Sequence, residues 1–233
     1  MTLARVAGKM AAVTDMRGGA PEPPPDPPEI RLQPGMAKQT LRELAPLLAE
    51  EGIDVDNIDV PDMQTLQRAM DRAVERQNMT LFTPVGQARD LAAATMRLAV
   101  EAIADGDSVL AATVHDQVRP EPPDDTTPTV ASCIGLALGL LDEWLSGRDP
   151  HAPAGLAQQV RLPAGHWFGE RAATDILVLA GKGKAFRSLN KVIARQGGRH
   201  VLFGAALAVT AAIQAWSHHA GSPVPDLART AIR

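Results

Sequence analysis

Beyond Lys38 the apolar residues recur at three- and four-residue intervals, the period of an α-helix, and no alternating run of useful strand length appears. Leu41, Leu44, Leu47 and Leu48 form a short stripe that Pro46 kinks or divides and Gly52 ends. Asp59 offers a cap, and Pro61 an early helical position, for the clearest amphipathic helix of the chain. That helix places Met63, Leu66, Met70, Ala73, Val74 and Gln77 on one face and Arg68, Asp71, Arg72, Glu75 and Arg76 on the other. Thr83-Pro84 repeats the cap-then-proline signal before a helix over about 85–104, where Arg97 and Glu101 stand at i, i+4. After the turn at 104–107, Asp107 caps a helix carrying Leu110, Val114 and Val118 at four-residue spacing.

Prolines and acids then interrupt the pattern over 120–128, a predicted boundary between two helical lobes. Past it the spacing predicts a nearly all-apolar helix from about Thr129 to Trp144, a short helix opened by Asp149 and Pro150, and a helix from about His166 to Ala180. Gly181-Lys182-Gly183 breaks that element, and further helices follow over about 184–196 and 199–217, separated by Gly197-Gly198. Ile176-Leu177-Val178-Leu179 is the only β-like run, long enough for a short strand. The longest apolar stretch, Val201 to Trp216, is shorter than the ~20 residues of a spanning helix and contains Thr210 and Gln214. It is read as a buried core helix ahead of a membrane-associated hairpin.

The prediction is an all-α protein of eight to ten helices in two packed helical lobes. A disordered Pro-rich tail (1–35) leads into an acidic helical lobe (36–119), the 120–128 linker or loop, and an apolar and basic helical lobe (129–233). The tail expectation rests on Pro21 to Pro28, where proline removes donors and favours extended backbone, a spacer more than a ligand for a proline-reading domain. Translation starting at Met36 instead of Met1 is equally compatible with the sequence. The first twenty residues scatter Arg5, Lys9 and Arg17 and build no continuous apolar segment, which argues against a secretory signal and for a cytoplasmic location.

Composition sharpens this picture mainly through charge. The 233-residue chain is 45% hydrophobic and carries a formal charge of -4, which excludes wholly disordered and fibrous classes. That small net value hides an asymmetry: residues 1–150 sum to -11 and residues 151–233 to +7. No acid lies between Asp175 and Asp226, whereas Lys182, Lys184, Arg187, Lys191, Arg195 and Arg199 do. Lys184, Arg187, Lys191 and Arg195 share a helical stripe, with Phe186, Leu189 and Ile193 opposite. Such a basic amphipathic helix docks on an acidic surface of its own chain near Glu50, Glu51, Asp54, Asp56, Asp59 and Asp62, or meets the phosphates of duplex nucleic acid, or an anionic partner. With no Tyr, four Phe and three Trp, a stacking platform for single strands is not expected. A membrane surface ranks last among these partners.

No motif fixes a reaction or a ligand. Gly181-Lys182-Gly183-Lys184 lacks the spacing of a nucleoside-triphosphate loop, and Ala185 stands where a metal-binding hydroxyl belongs, although amides at the next helix start could hold an anion. Asp54 to Asp59 fails as a calcium loop, because Ile58 takes a ligand position and Thr65 replaces the bidentate glutamate. His166 and Glu170 are the best candidate catalytic pair, on the expectation that they lie one helical turn apart. His218 and His219 point about 100° apart on a helix and do not chelate one ion. Asp142 and Glu143 are sequence neighbours, which do not face each other. Cys133 sits in an apolar run and is read as structural, and Trp144, Trp167 and Trp216 as core anchors.

No metal and no cofactor is expected. The sequence is therefore read as a non-catalytic helical interaction or regulatory module acting on a protein partner or on itself. Duplex nucleic-acid binding through 182–199 is the first alternative, and an enzyme using His166 and Glu170 the second.

Overall fold

The computed structural model describes residues 42, 43, 45–54, 63–120 and 127–233. The predicted tail, the cap at Asp59 with Pro61, and most of the 120–128 segment lie outside the described residues. Within them the protein is all-α, with ten helices and no strand. In chain order these are α1 (Ala45–Ala49), α2 (Met63–Phe82), α3 (Gly86–Ala104), α4 (Ser108–Asp116), α5 (Val130–Leu145), α6 (Leu156–Gln159), α7 (Glu170–Ala180), α8 (Ala185–Gln196), α9 (Gly198–Ala220) and α10 (Val224–Ala231).

Helix α9 is the centre. Every residue from Val201 to Ile213 is buried, against α7, α5 and α3 on different sides. Among the described residues it is the one helix long and apolar enough to cross a membrane, and 78% of its most apolar window is covered by neighbouring helices. Small residues permit that enclosure, since Gly204, Ala205, Ala206, Ala208, Ala211 and Ala212 let flanking helices approach closely. The tightest point is the crossing with α7. A Cβ on Gly204 would lie 2.6 Å from the Ala172 Cβ, and one on Gly169 would lie 2.7 Å from the Gly204 nitrogen. Gly169 also has φ +82, which only glycine adopts without strain, so both sides of the crossing need the missing side chain.

At the other end of α9, Trp216 meets Trp144 of α5 edge to face, with ring centroids 5.8 Å apart. The apolar α5 is capped as its sequence requires, by a reciprocal box in which Thr129 and Ser132 satisfy each other's backbone. Cys133 is buried on it, and burial pushes its thiol up to about 12, which removes the thiolate needed for reactivity. Residues from both sides of the 120–128 segment contribute to this core. Across that segment Arg119 donates to the Pro128 carbonyl (3.1 Å) and accepts from Val130 (2.9 Å), pinning its two ends together. A separate small cluster of Leu48, Ala69 and Ala73 joins α1 to α2.

Several local expectations change. Thr83 does not cap α3: the residue before that helix is Val85, and the Thr83 hydroxyl, packed toward Gly139 of α5, is buried without a partner among the described residues. Arg97 does not turn to Glu101 but donates to the Ile232 carbonyl at 2.7 Å, tying the C-terminal segment to α3. Asp149 holds the His151 amide in a turn, and the short helix starts later, at Leu156. Ile176 to Leu179 is helical, because Ala172, Ala173 and Ile176 pack on α9 at helical spacing, which an extended strand would break. Asp107 caps α4 as expected, accepting from the Leu110 amide at 2.8 Å.

Replacing Gly204 by valine is expected to cost about 3 kcal/mol through overpacking at the α7–α9 crossing. Gly198→Ala, where an added Cβ meets nothing within 4 Å, is expected to be neutral or slightly stabilising. Urea denaturation followed by circular dichroism of both variants checks the contrast; equal midpoints would contradict the close crossing.

Candidate functional site

Two surfaces carry chemistry, and the first is the basic helix. The sequence of α8 supplies no cap of its own, since Lys184 precedes it and makes no side-chain bond to its first turn. Its amides are instead held by Glu75 of α2. One carboxylate oxygen accepts from Phe186 N–H at 2.8 Å and the other from Arg187 N–H at 2.9 Å. Glu75 is only 7% exposed, so it belongs to the interior and not to the solvated face on which sequence spacing puts it. A negative charge at a helix N-terminus is favourable on both hydrogen-bond and dipole grounds. The amides after Gly181-Lys182-Gly183-Lys184 thus bind an anion, and that anion is the protein's own carboxylate.

The six cations of the basic segment divide into two groups. Arg187 pairs with Asp71 of α2 at 2.7 Å, Arg195 with Asp175 of α7 at 2.6 Å, and Arg199 with Asp116 of α4 at 2.5 Å. Burial pushes the Asp71 carboxyl up, but hydrogen bonds from Arg187 and Gln67 and the charges of Arg187 and Lys184 outweigh it and hold the group below its ordinary value. Lys182, Lys184 and Lys191 are exposed and form no direct ion pair among the described residues, although the Lys184 charge reaches Asp71.

Among the described residues the acids that meet α8 are Asp71 and Glu75 of α2 and Asp175 of α7. Glu50 and Glu51 pair with Arg76, and Glu51 also with Arg72 at 2.5 Å. The Arg76 hydrogen bond, followed by that of Arg72, holds the Glu51 carboxyl below its ordinary value against the cost of burial. Asp56, Asp59 and Asp62 lie outside the described residues.

The second surface is an apolar groove of about 440 Å³ between α3, α4, α9 and the residues before α7. Ile103, Ala111, Ala112, Phe203 and Leu207 line it, with Ser108, His166 and Arg199 as its charged or polar groups. An aromatic series forms one wall. His115 stacks on Phe203 (centroids 3.8 Å), Phe203 meets Phe168 edge to face (4.9 Å), and Phe168 stacks on His200 (4.1 Å). Phe168 remains 45% exposed, and the first turn of α4 beside the groove exposes Val109 and Leu110. Trp167 also lines the groove and donates to the Ala164 carbonyl, so it is half-buried, unlike Trp144 and Trp216.

His115 is the buried titratable group behind this wall. Its Nδ1 lies 2.6 Å from the Ala111 carbonyl, which can only accept, so Nδ1 carries the proton. Burial, more than the nearby Arg199, lowers its pKa from the ordinary 6.5; the Ala111 bond and Asp116 oppose this without reversing it.

The candidate catalytic pair takes a different form. Helix α7 starts at Glu170 after Gly169 in the left-handed region, so His166 precedes the helix and does not share a helical face with Glu170. Both are exposed. Among the described residues no three His, Cys, Asp or Glu side chains gather as a metal would need. Asp142, buried on α5, is neutralised by Arg148. Sequence reasoning missed Glu75, His115 and the aromatic groove, although the missing cap before Ala185 was a readable sign that α8 takes its acceptor from elsewhere. No protein-family model, no curated protein and no solved structure matches the chain.

Two outcomes follow from this geometry. Glu75→Ala strands the Phe186 and Arg187 amides and is expected to cost about 2–3 kcal/mol, with Glu75→Gln costing roughly half as much because one acceptor remains; chemical denaturation measures both. His115 binds its proton less readily folded than unfolded, so stability is full above the unfolded value of 6.5 and falls as pH drops below it toward the folded value. The slope there is at most about 1.4 kcal/mol per pH unit. His115→Phe, which keeps the stack on Phe203, should flatten this dependence below about pH 6.5, as read by thermal melts at a series of lower pH values.

Proposed function

We propose that the chain is a non-catalytic helical protein-interaction module whose contact surface is the apolar groove between α3, α4 and α9. The observation that carries this reading is a groove of about 440 Å³ whose walls are mainly apolar and whose lip holds Phe168 at 45% exposure. A helical bundle that had no use for this surface would gain by covering it, since each exposed apolar residue forgoes its transfer free energy. An apolar centre with Arg199 and His166 at its edge has the composition of a small interface core with a polar rim. The occupant that fits is an apolar face of a helix or extended segment, from another protein or from a second copy.

The duplex nucleic-acid reading keeps Lys182, Lys184 and Lys191 as free cations. It is weakened by the ion pairs of Arg187, Arg195 and Arg199, which halve the positive charge that a run of phosphates would meet. The enzyme reading loses the shared helical face of His166 and Glu170 on which it rested.

Selection of a displayed peptide library against the full chain tests the groove. Ala112 lines the groove and is half-buried, so Ala112→Glu is expected to weaken the selected apolar peptides by about tenfold or more through a desolvated charge in the contact, with circular dichroism confirming that the variant is folded. Sedimentation equilibrium of the same variant reports whether self-association uses this surface. Peptides that bind wild type and Ala112→Glu alike would remove the groove from the account.

A further inference from the structure

A second cavity lies away from the groove, where the turn before α8 faces α2. It measures about 160 Å³, and its walls hold Arg68 and Arg72 of α2, Lys182 and Lys184 of the turn, and the Arg187–Asp71 pair. Five cations thus converge on one cleft around a single carboxylate, from segments more than a hundred residues apart in sequence. Some of this charge is used internally: Asp71 holds Arg187, and Glu51 holds Arg72 at 2.5 Å. Among the described residues Arg68 forms no ion pair and touches the Gln64 side chain at 3.4 Å, and the two lysines form no direct ion pair, although the Lys184 charge reaches Asp71. Like charges held this close repel one another, and a concave wall concentrates their field, so the arrangement favours a counter-anion between them.

We propose that this cleft binds a compact anion bearing two or more linked phosphates, gripped by Arg68, Lys182 and Lys184. The first amides of α8 are occupied by Glu75, so the grip comes from side chains and not from the helix N-terminus. Guanidinium and ammonium donors suit phosphate oxygens, and the small volume selects a compact ligand over an extended strand. Gly181 and Gly183 flank Lys182, and Gly183 takes φ +59, which turns the backbone so that both lysines reach the same cleft. The cleft is separate from the groove and stands or falls independently of it. Linked phosphates occur both as free anions and on lipid headgroups.

The test is isothermal titration of the full chain with inorganic pyrophosphate at about 50 mM salt, where screening is modest. Saturable binding is expected, weakened about tenfold or more by a Lys182→Gln, Lys184→Gln double variant and by Arg68→Gln. Lys191→Gln, on the same helix stripe but outside the cleft, should change it less than about twofold. Circular dichroism confirms that each variant is folded, and Arg68→Gln keeps the test decisive if the double variant is not.

Pelleting with vesicles containing phosphatidylinositol bisphosphate separates the sources. Pelleting that pyrophosphate reverses assigns the site to a lipid headgroup, and none, with pyrophosphate still bound, assigns it to a free anion. Absence of pyrophosphate binding overturns the proposal. So does equal weakening by Lys191→Gln, or duplex DNA binding that pyrophosphate does not displace, since each assigns the charge to the surface at large.

Discussion

Helix α9 is buried from Val201 to Ile213 on every side, so it exists in water only if its neighbours wrap it completely. That constraint arranges the rest of the protein. Helix α7 crosses at the Gly169–Gly204 contact, α5 lies along another side and meets it through the Trp144–Trp216 pair, and α3 closes a third. Because small residues do the covering, the approach is nearly backbone to backbone and leaves little room to shift. Rigid packing at the centre is what allows the surfaces at its edges to hold a defined shape.

The link between α2 and α8 has a different character. It runs through polar groups: Glu75 on the α8 amides and Asp71 on Arg187. A buried carboxylate is costly unless its charge is hydrogen-bonded, and two backbone amides, one to each oxygen, with their helix dipole supply that at Glu75. This contact also sets the register of α8 on α2. That register sets Arg187 against Asp71 of α2, while Arg195 pairs with Asp175 of α7 and Arg199, on α9, with Asp116 of α4, and the lysines are left outside.

These two kinds of packing leave two unsatisfied surfaces of opposite chemistry. Where α3, α4 and α9 diverge, aromatic rings line an uncovered apolar groove; where the turn before α8 meets α2, cations gather with too few acids. The first is the surface proposed above for apolar segments and the second the one proposed for compact anions.

The sequence by itself determined the class of fold, because hydrophobic period and capping are local properties. Asp107 and Thr129 cap α4 and α5, Gly197 ends α8, and the apolar run of α9 could be read as a core helix before any coordinates. It also located the basic stripe, since spacing alone puts Lys184, Arg187, Lys191 and Arg195 together. Tertiary structure decided everything that depends on which distant residues meet. Glu75 reads as a surface acid in its own helix and becomes buried only because α8 brings two amides to it; Arg68 and Arg72 become part of a cation cleft only because the 181–184 turn lies opposite. His166 and Glu170 lost their shared face for the converse reason, a close contact of Gly169 with α9 that delays the start of α7. Period and propensity act within a few residues along the chain, whereas charge pairing and cavity shape act through space.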